Sequence, residues 1–220
     1  MKYDLLYCIG DSYVQGVRLG DDVGDIITEK SRFTGLVAAN YSLPEVNKGS
    51  AGCSNEYIFR NIFLDMQEYR EKNINPLVIV TYTDYVRKEM FSIGRGKPET
   101  ITEFHFDREF AKHYLLNHYD AGFLKTTSIV QISMIKMMLN TWNIDFVDTW
   151  SMSYISDYDF DIPTKLETDI GTFCGYDDRF NMPGTGDKDS HHGHPTTNGH
   201  RRVAQWFVDK FDSLYNPNNT

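Results

Sequence analysis

The chain has 220 residues, enough for one α/β domain with a large core and short for two ordinary domains. Its 22 basic residues stand against 31 acidic ones, which gives a formal net charge of -9. Binding to phosphates requires clustered cations, and the sequence shows no basic stripe. We therefore expect no nucleic-acid partner.

The cysteines and the amino terminus set further limits. Cys8, Cys53 and Cys174 are odd in number and lack CxxC spacing, which argues against a disulfide framework and against a zinc or redox site. No segment approaches the roughly 18 apolar residues that cross a bilayer. The first ten residues enter an apolar strand too early for a leader peptide. We expect no membrane partner, no signal peptide, and a cytoplasmic or virion-associated location.

Strands and helices alternate along the chain. Two short apolar runs, residues 3–10 and 77–80, are typical of buried strands in a parallel sheet, and residues 45–47 and 143–148 are interpreted as two further strands. Helical spacing occurs in residues 32–39, in a segment capped by Ser54 or Asn55, in residues 129–139 and in a closing segment, 198–214. This alternation predicts a single domain over 1–220 with a doubly wound parallel sheet in three α/β/α layers. Residues 82–126 and 151–189 are interpreted as insertions around the site.

A serine and a histidine far apart in the sequence indicate hydrolytic chemistry. Ser12 follows the first apolar run in Gly10-Asp11-Ser12, and His194 lies 182 residues later. A serine hydroxyl is a poor nucleophile until an imidazole can take its proton, so the two residues act only as a pair. Ser12, Gly52 and Thr83 all follow predicted strands, where sites form in such sheets.

Four ordered blocks carry a family resemblance: Gly10-Asp11-Ser12, residues 47–52 followed by Ser54-Asn55, Thr81-Tyr82-Thr83-Asp84, and His194-Pro195 with Gly199-His200. In order and spacing, over residues 10–204, the chain resembles the SGNH or GDSL-type hydrolases. Residues 52–60 are also similar to members from tailed phages and environmental microbes. The resemblance implies the SGNH (flavodoxin-like) hydrolase fold and serine ester hydrolysis without a cofactor.

The resemblance also implies roles for single residues. Ser12 would be the nucleophile at the start of a helix, and His194 would be the general base. The backbone N–H groups of Ser12 and Gly52 would form the oxyanion hole. The family's third donor is an asparagine amide, whereas this chain has Thr83. Either the Thr83 hydroxyl or another group such as Asn55 would replace that amide.

The acid that orients the base departs from the family pattern too. The family places it three residues before the histidine, and position 191 is itself a histidine. Either Asp189 orients His194 across a two-residue insertion, or Asp189 pairs with His192 as the base, and Asp187 is a further candidate acid. These histidines and acids could also form a metal site, but no HExxH-like spacing fixes a geometry, so we expect no metal.

Composition favours a short acyl group as the substrate. The chain is acidic and shows no contiguous apolar lid, so we expect O-acetyl or other short acyl esters, with acylated carbohydrate favoured. A lipase or thioesterase for longer acyl chains is one alternative. The other is a catalytically silent SGNH-like structural or receptor-binding module of a virion or surface assembly. The oligomeric state and the natural ester stay open.

Overall fold

The fold is described from a computed structural model. It describes residues 2–16, 31–85, 87–92, 97–101, 112–114, 120–151 and 197–215.

Two sheets are present in the described part of the chain. Their strands, in chain order, are β1 Leu5–Ile9, β2 Glu45–Asn47, β3 Pro76–Tyr82, β4 Lys88–Ser92, β5 Lys97–Ile101 and β6 Phe146–Trp150. The main sheet has the order β2-β1-β3-β6 with every pair parallel, and β4 and β5 form a separate antiparallel pair. The four predicted strands are therefore confirmed.

The helices with described bounds are α1 Ser12–Gln15, α2 Phe33–Tyr41, α3 Asn55–Glu71, α4 Ala121–Thr141 and α5 Thr197–Tyr215. Of the two caps predicted for α3, the structure uses Ser54, whose hydroxyl accepts a hydrogen bond from the Tyr57 N–H at 3.2 Å. An N-cap hydroxyl of this kind satisfies one of the first amides of a helix. Asn55, the other candidate, becomes the first residue of α3.

Apolar side chains pack on both faces of the main sheet. Leu6 and Ile79 point to the face covered by α2 and α5, where they meet Phe207. Tyr7 and Val80 point to the opposite face, which α3 and α4 cover. Neighbouring residues of a strand point to opposite faces, so a sheet that is apolar in consecutive positions must be covered twice. The predicted three-layer α/β/α arrangement is confirmed.

The region 82–126, predicted as an insertion around the site, contains elements that the sequence patterns did not indicate. It contains the β4–β5 pair, in which Lys88 lies opposite Ile101 and Ser92 opposite Lys97. It also contains the start of α4, eight residues before Ile129, where the predicted pattern begins. The start is set by Asp120, whose carboxylate accepts from the Phe123 N–H at 3.0 Å. A cap thus extends the helix beyond the apolar pattern.

Sheet topology locates the site. After β1 and the short helix α1, the chain forms α2 on one face of the sheet. After β3 and the β4–β5 pair, it forms α4 on the other face. The chains leaving these two adjacent strands diverge, and ligands in such sheets bind in the crevice outside the carboxyl ends at this switch point. The crevice lies beside Gly10-Asp11-Ser12 and Thr83.

Candidate active site

Ser12 is presented on a tight turn between β1 and α1. Asp11 caps α1, and its carboxylate accepts a hydrogen bond from the Tyr13 N–H at 3.0 Å. Ser12 is the first helical residue and is 9% exposed. The helix ends after one turn at Gly16, whose φ is 80°. A single turn has a small dipole, so stabilisation of an anion here must come from individual N–H groups rather than from a long helix.

Gly10 allows the turn to lie against β3. A Cβ atom at this position would lie 1.9 Å from the Thr81 hydroxyl oxygen and 2.8 Å from the Thr81 carbonyl oxygen. The β1–β3 register pairs Ile9 with Val80, which places Gly10 beside Thr81. Only a residue without a side chain fits this approach, so the glycine of the first block fixes where Ser12 leaves the sheet.

The segment 48–54, called here the second loop, is bonded to the Ser12 turn. The Gly10 carbonyl oxygen accepts hydrogen bonds from the Ser50 N–H at 2.9 Å and from the Cys53 thiol at 3.2 Å. The Ala51 N–H donates to the Gln15 side chain at 2.7 Å. These bonds join residues on both sides of Ser12 to residues on both sides of Gly52. The first and second sequence blocks are thereby brought together.

Asn47, at the end of β2, strengthens this junction. Its amide nitrogen donates to the Val14 carbonyl at 2.8 Å, and its oxygen accepts from the Gly49 N–H at 2.8 Å. Gly49 itself lies so close to α1 that a Cβ atom would be 2.3 Å from the Gln15 nitrogen. One side chain therefore ties α1 to the second loop.

Gly52 has the backbone conformation that glycine adopts readily. Its φ is 73°, in the left-handed region, and a Cβ atom there would meet nothing within 4 Å. The residue is needed for its backbone angle and not for lack of space. The open space beside it is available to a substrate, as the predicted oxyanion role requires.

Asn55 connects the second loop to the third block. Its side-chain oxygen accepts from the Thr83 N–H at 3.0 Å, and its side-chain nitrogen donates to the Thr83 carbonyl at 2.9 Å. The same nitrogen lies 3.4 Å from the Ser128 hydroxyl of α4. To act as an oxyanion donor, the role predicted as an alternative, this amide would have to use its second hydrogen, which in the structure points to Ser128. In the structure it holds the Thr83 main chain.

The side-chain hydroxyl of Thr83 is a hydrogen-bond donor that the structure does not use. Its N–H is bonded to Asn55, while its hydroxyl oxygen is buried and has no hydrogen-bond partner. Among the described residues, the hydroxyls of Thr81 and Ser151 share this condition. A buried polar group without a partner costs stability, so each such group calls for an explanation. At Thr83, the predicted role as an oxyanion donor would supply the missing acceptor, because the substrate's carbonyl oxygen would accept from this hydroxyl.

Arg87 is a site residue that the sequence patterns did not indicate. Its guanidinium NH1 lies 3.3 Å from the Asp11 carboxylate, which is buried next to Ser12. A buried carboxylate beside Ser12, the predicted nucleophile, would oppose a negative charge that develops there, and Arg87 would offset that effect. Two adjacent cations, Arg87 and Lys88, follow the third block in the sequence, and nothing in their spacing distinguished Arg87.

Cys53 lies at the site but lacks the properties of a nucleophile. Burial raises the pKa of its thiol well above the usual value, and the nearby Asp11 carboxylate raises it further. A protonated thiol is a weak nucleophile. Its hydrogen bond to Gly10 indicates that it holds the turn in place.

His194, His192, Asp189 and Asp187 lie outside the described residues, so the predicted base and its acid keep the standing of predictions. His200 is described, and its Nδ1 accepts from the Phe33 N–H at 3.0 Å while its ring stacks on Phe33 at 5.8 Å. It packs between helices, as expected. Within the described part of the chain, no three His, Cys, Asp or Glu side chains are grouped as a metal would require.

Comparisons with known proteins identify solved structures that are similar to this fold. No family model matches the sequence, and no curated protein matches it. The psychrotrophic esterase EstA from Pseudoalteromonas sp. is similar in structure with a TM-score of 0.51 and 11% identity, over 97% of this chain and 99% of that one. A G-D-S-L family lipolytic protein from Desulfitobacterium hafniense overlaps with a TM-score of 0.39 and 13% identity, over 94% and 98% of the two chains. An acetyl xylan esterase from Geobacillus stearothermophilus gives 0.37 and 14%, over 96% of each.

The molecule is a doubly wound α/β/α protein with a serine turn at its switch point. It shares the fold of the Pseudoalteromonas esterase over nearly the whole of both chains. The predicted doubly wound parallel sheet in three α/β/α layers is confirmed. No helix in the described ranges is both long and apolar enough to cross a membrane.

Proposed function

We propose that the chain is a serine ester hydrolase of SGNH type that removes O-acetyl or other short acyl groups, with acylated carbohydrate as the favoured substrate. The observation that carries the proposal is the junction of three loops at the carboxyl edge of the sheet. Gly10 is bonded to the second loop, and Asn55 joins that loop to Thr83. Ser12, Gly52 and Thr83 thus belong to one hydrogen-bonded unit.

In the proposed reaction the Ser12 hydroxyl oxygen attacks the ester carbonyl while His194 takes its proton. The carbonyl oxygen becomes negatively charged and accepts hydrogen bonds from the N–H groups of Ser12 and Gly52 and from the Thr83 hydroxyl. The intermediate collapses when His194 returns the proton to the leaving alcohol, which leaves an acyl group on Ser12. Water, deprotonated by His194, releases the acid, and Asp189 orients the imidazole throughout.

Access to Ser12 supports a short acyl group. The residue is 9% exposed, so only a small part of it is accessible to a reacting carbonyl. The Pseudoalteromonas esterase that shares the fold was solved with monoethylphosphonate as its inhibitor, a small phosphorus compound. Comparing hydrolysis of p-nitrophenyl acetate with that of the octanoate measures the preference. Faster octanoate hydrolysis would replace the short-acyl assignment with the lipase or thioesterase alternative.

Substitution of Ser12 tests the chemistry directly. We expect Ser12→Ala to lower p-nitrophenyl acetate hydrolysis to the background rate, because the remaining groups have no nucleophile to assist. Ser213→Ala, at an exposed position of α5, is the control and should keep full activity. A fluorophosphonate probe should label Ser12 in the native chain, and peptide mass spectrometry locates the label. His194→Ala and His192→Ala, assayed in parallel, identify the base.

The burial of the Thr83 hydroxyl supports a second candidate function. A donor that an incoming carbonyl oxygen cannot reach does not stabilise an oxyanion, as expected of a catalytically silent SGNH-like module in a virion or surface assembly. In that case the native chain and Ser12→Ala would hydrolyse short esters at the same rate. The fluorophosphonate probe would also leave Ser12 unlabelled. Both results together would replace the enzyme assignment.

A further inference from the structure

Helix α4 is apolar on two opposite faces. Its inner face packs on the sheet through buried side chains at helical spacing: Leu124, Ile132, Ile135 and Leu139. Its outer face carries four large apolar side chains that face solvent, and we call them the outer stripe: Phe123 (65% exposed), Val130 (51%), Met134 (43%) and Met137 (64%). At 3.6 residues per turn these four positions fall within an arc of about 60°. A surface helix ordinarily has polar residues there.

Helix α4 itself carries little charge. Residues 121–141 contain no aspartate or glutamate, and their two cations are Lys125 and Lys136. Lys136 is paired with Asp148 at 3.1 Å. The whole chain carries a formal charge of -9. Two copies therefore repel each other over most approaches, and least where their α4 faces meet.

The exposed area suits a modest dimer interface. Phe63 of α3, 42% exposed and 6.2 Å from the Trp142 ring at the end of α4, adds to the outer stripe. At roughly 150–250 Å² for a fully exposed large side chain, the five residues offer about 450 Å² of apolar surface. If apolar area makes up about 60% of an interface, each copy would bury about 750 Å² in all, within the standard range for specific complexes.

We propose that the outer stripe is a self-association surface at which α4 packs against α4 of a second copy. In a twofold pair the same patch meets itself, and with the axis perpendicular to the helices the two copies of α4 run antiparallel. Val130 lies midway between Phe123 and Met137 in sequence, and it therefore meets its own counterpart at the axis. Phe123 of each copy meets Met137 of the other. The stripe is about 21 Å long from Phe123 to Met137 at 1.5 Å per residue.

The salt dependence of association distinguishes an uncharged interface between two copies from an interface held by ion pairs. An interface without charges between acidic copies should strengthen as salt screens the repulsion between the two bodies. A surface held by ion pairs would weaken instead. An anionic lipid surface is the other apolar partner that would cover the stripe, and it repels a chain of this charge just as a second copy does. The second copy is favoured by area, because the exposed apolar surface matches that of a standard dimer interface.

Sedimentation equilibrium over a protein concentration series, at 20 mM and 500 mM NaCl, measures the association. We expect a monomer–dimer equilibrium whose dissociation constant falls at the higher salt. Val130→Glu should raise that constant at least tenfold, because it brings like charges together at the axis. Leu214→Glu is the matched control, since Leu214 is an exposed apolar residue (57%) on α5, outside the outer stripe, and it should leave the constant unchanged.

A mixture of Val130→Glu and Val130→Lys separates an interface effect from misfolding. Opposite charges then meet at the axis, so the mixture should associate more tightly than either variant alone. The proposal is overturned by a chain that stays monomeric at both salt concentrations, by a dimer that Val130→Glu leaves intact, or by a mixture that shows no recovery. A monomer that instead binds phosphatidylserine vesicles through Val130 would assign the surface to lipid and also overturn it.

Discussion

Thr83 combines a structural cost with a proposed catalytic role. Its hydroxyl oxygen is buried without a partner, while its main chain is held on both sides by Asn55. Valine has the same shape without the oxygen. We expect Thr83→Val to keep or increase the free energy of unfolding by about 1 kcal/mol, since it removes an unsatisfied polar group. We expect it to lower kcat about tenfold or more with little change in KM, because a transition-state donor is lost.

Ser151→Ala is the control for this substitution. Ser151 also has a buried hydroxyl without a partner, and no step of the proposed reaction uses it. Urea unfolding and ester kinetics on both variants should show a stability gain in each and a loss of kcat in Thr83→Val alone. Equal kcat in the two variants would remove the Thr83 hydroxyl from the oxyanion hole. Thr81 is unsuited as a control because its hydroxyl oxygen packs closely against Gly10.

Individual residues of the site could be predicted only where a motif constrains them. Gly10, Ser12 and Gly52 occupy short blocks whose backbone requirements are local, and the structure gives Gly10 and Gly52 the close approach and positive φ that glycine permits. Arg87 was not predictable, since its role depends on Asp11, 76 residues away in sequence. Such a pair depends on the register of β1 beside β3, which no single-sequence pattern encodes.

At the scale of elements, Asn55 couples the start of α3 to the end of β3. Removing its side chain in Asn55→Ala leaves the N–H and C=O of Thr83 buried without partners, so we expect a loss of about 2–4 kcal/mol in the free energy of unfolding. Asn55→Asp keeps the acceptor for the N–H and places a carboxylate oxygen against the Thr83 carbonyl. We expect both variants to lower kcat under conditions where they remain folded.

Asn61→Ala is a matched control on the same helix. The Asn61 amide donates to the Tyr57 carbonyl at 2.8 Å, one turn earlier in α3, and reaches no loop of the site. Chemical denaturation should show a loss of about 1 kcal/mol or less, with kcat unchanged. If Asn55→Asp keeps the native kcat, Thr83 is held by other contacts and the coupling inferred for Asn55 is wrong.

The elements themselves were largely predictable. The runs at β1 and β3 are continuous and apolar because both faces of the sheet are covered, and that pattern is visible without any structure. The β4–β5 pair was missed because Lys88–Ser92 and Lys97–Ile101 carry polar and charged residues with little β-branched content. The early start of α4 was missed because it depends on the Asp120 cap rather than on an apolar period.

At the scale of the whole molecule, the site is built into the cooperative core. Cys8 lies in the apolar cluster on the α2 and α5 face, and Cys53 lies in the cluster on the α3 and α4 face. Both thiols are buried, and burial raises the pKa of each. Cys53 also belongs to the second loop, which is bonded to the Ser12 turn at several points. The loop cannot open without breaking the turn that presents Ser12.

Thiol labelling can test whether site and core unfold together. In a Cys174→Ser variant, iodoacetamide should modify Cys8 and Cys53 slowly, because a buried protonated thiol reacts only after the structure opens and its pKa returns to about 8.5. If the second loop opens only with the sheet, the two labelling rates should rise equally with urea, giving the same opening free energy and the same slope. Peptide mass spectrometry separates the two sites. A faster, less urea-dependent rate at Cys53 would instead mean that the second loop opens by itself, and Gly52 would then reach its oxyanion position only after substrate binds.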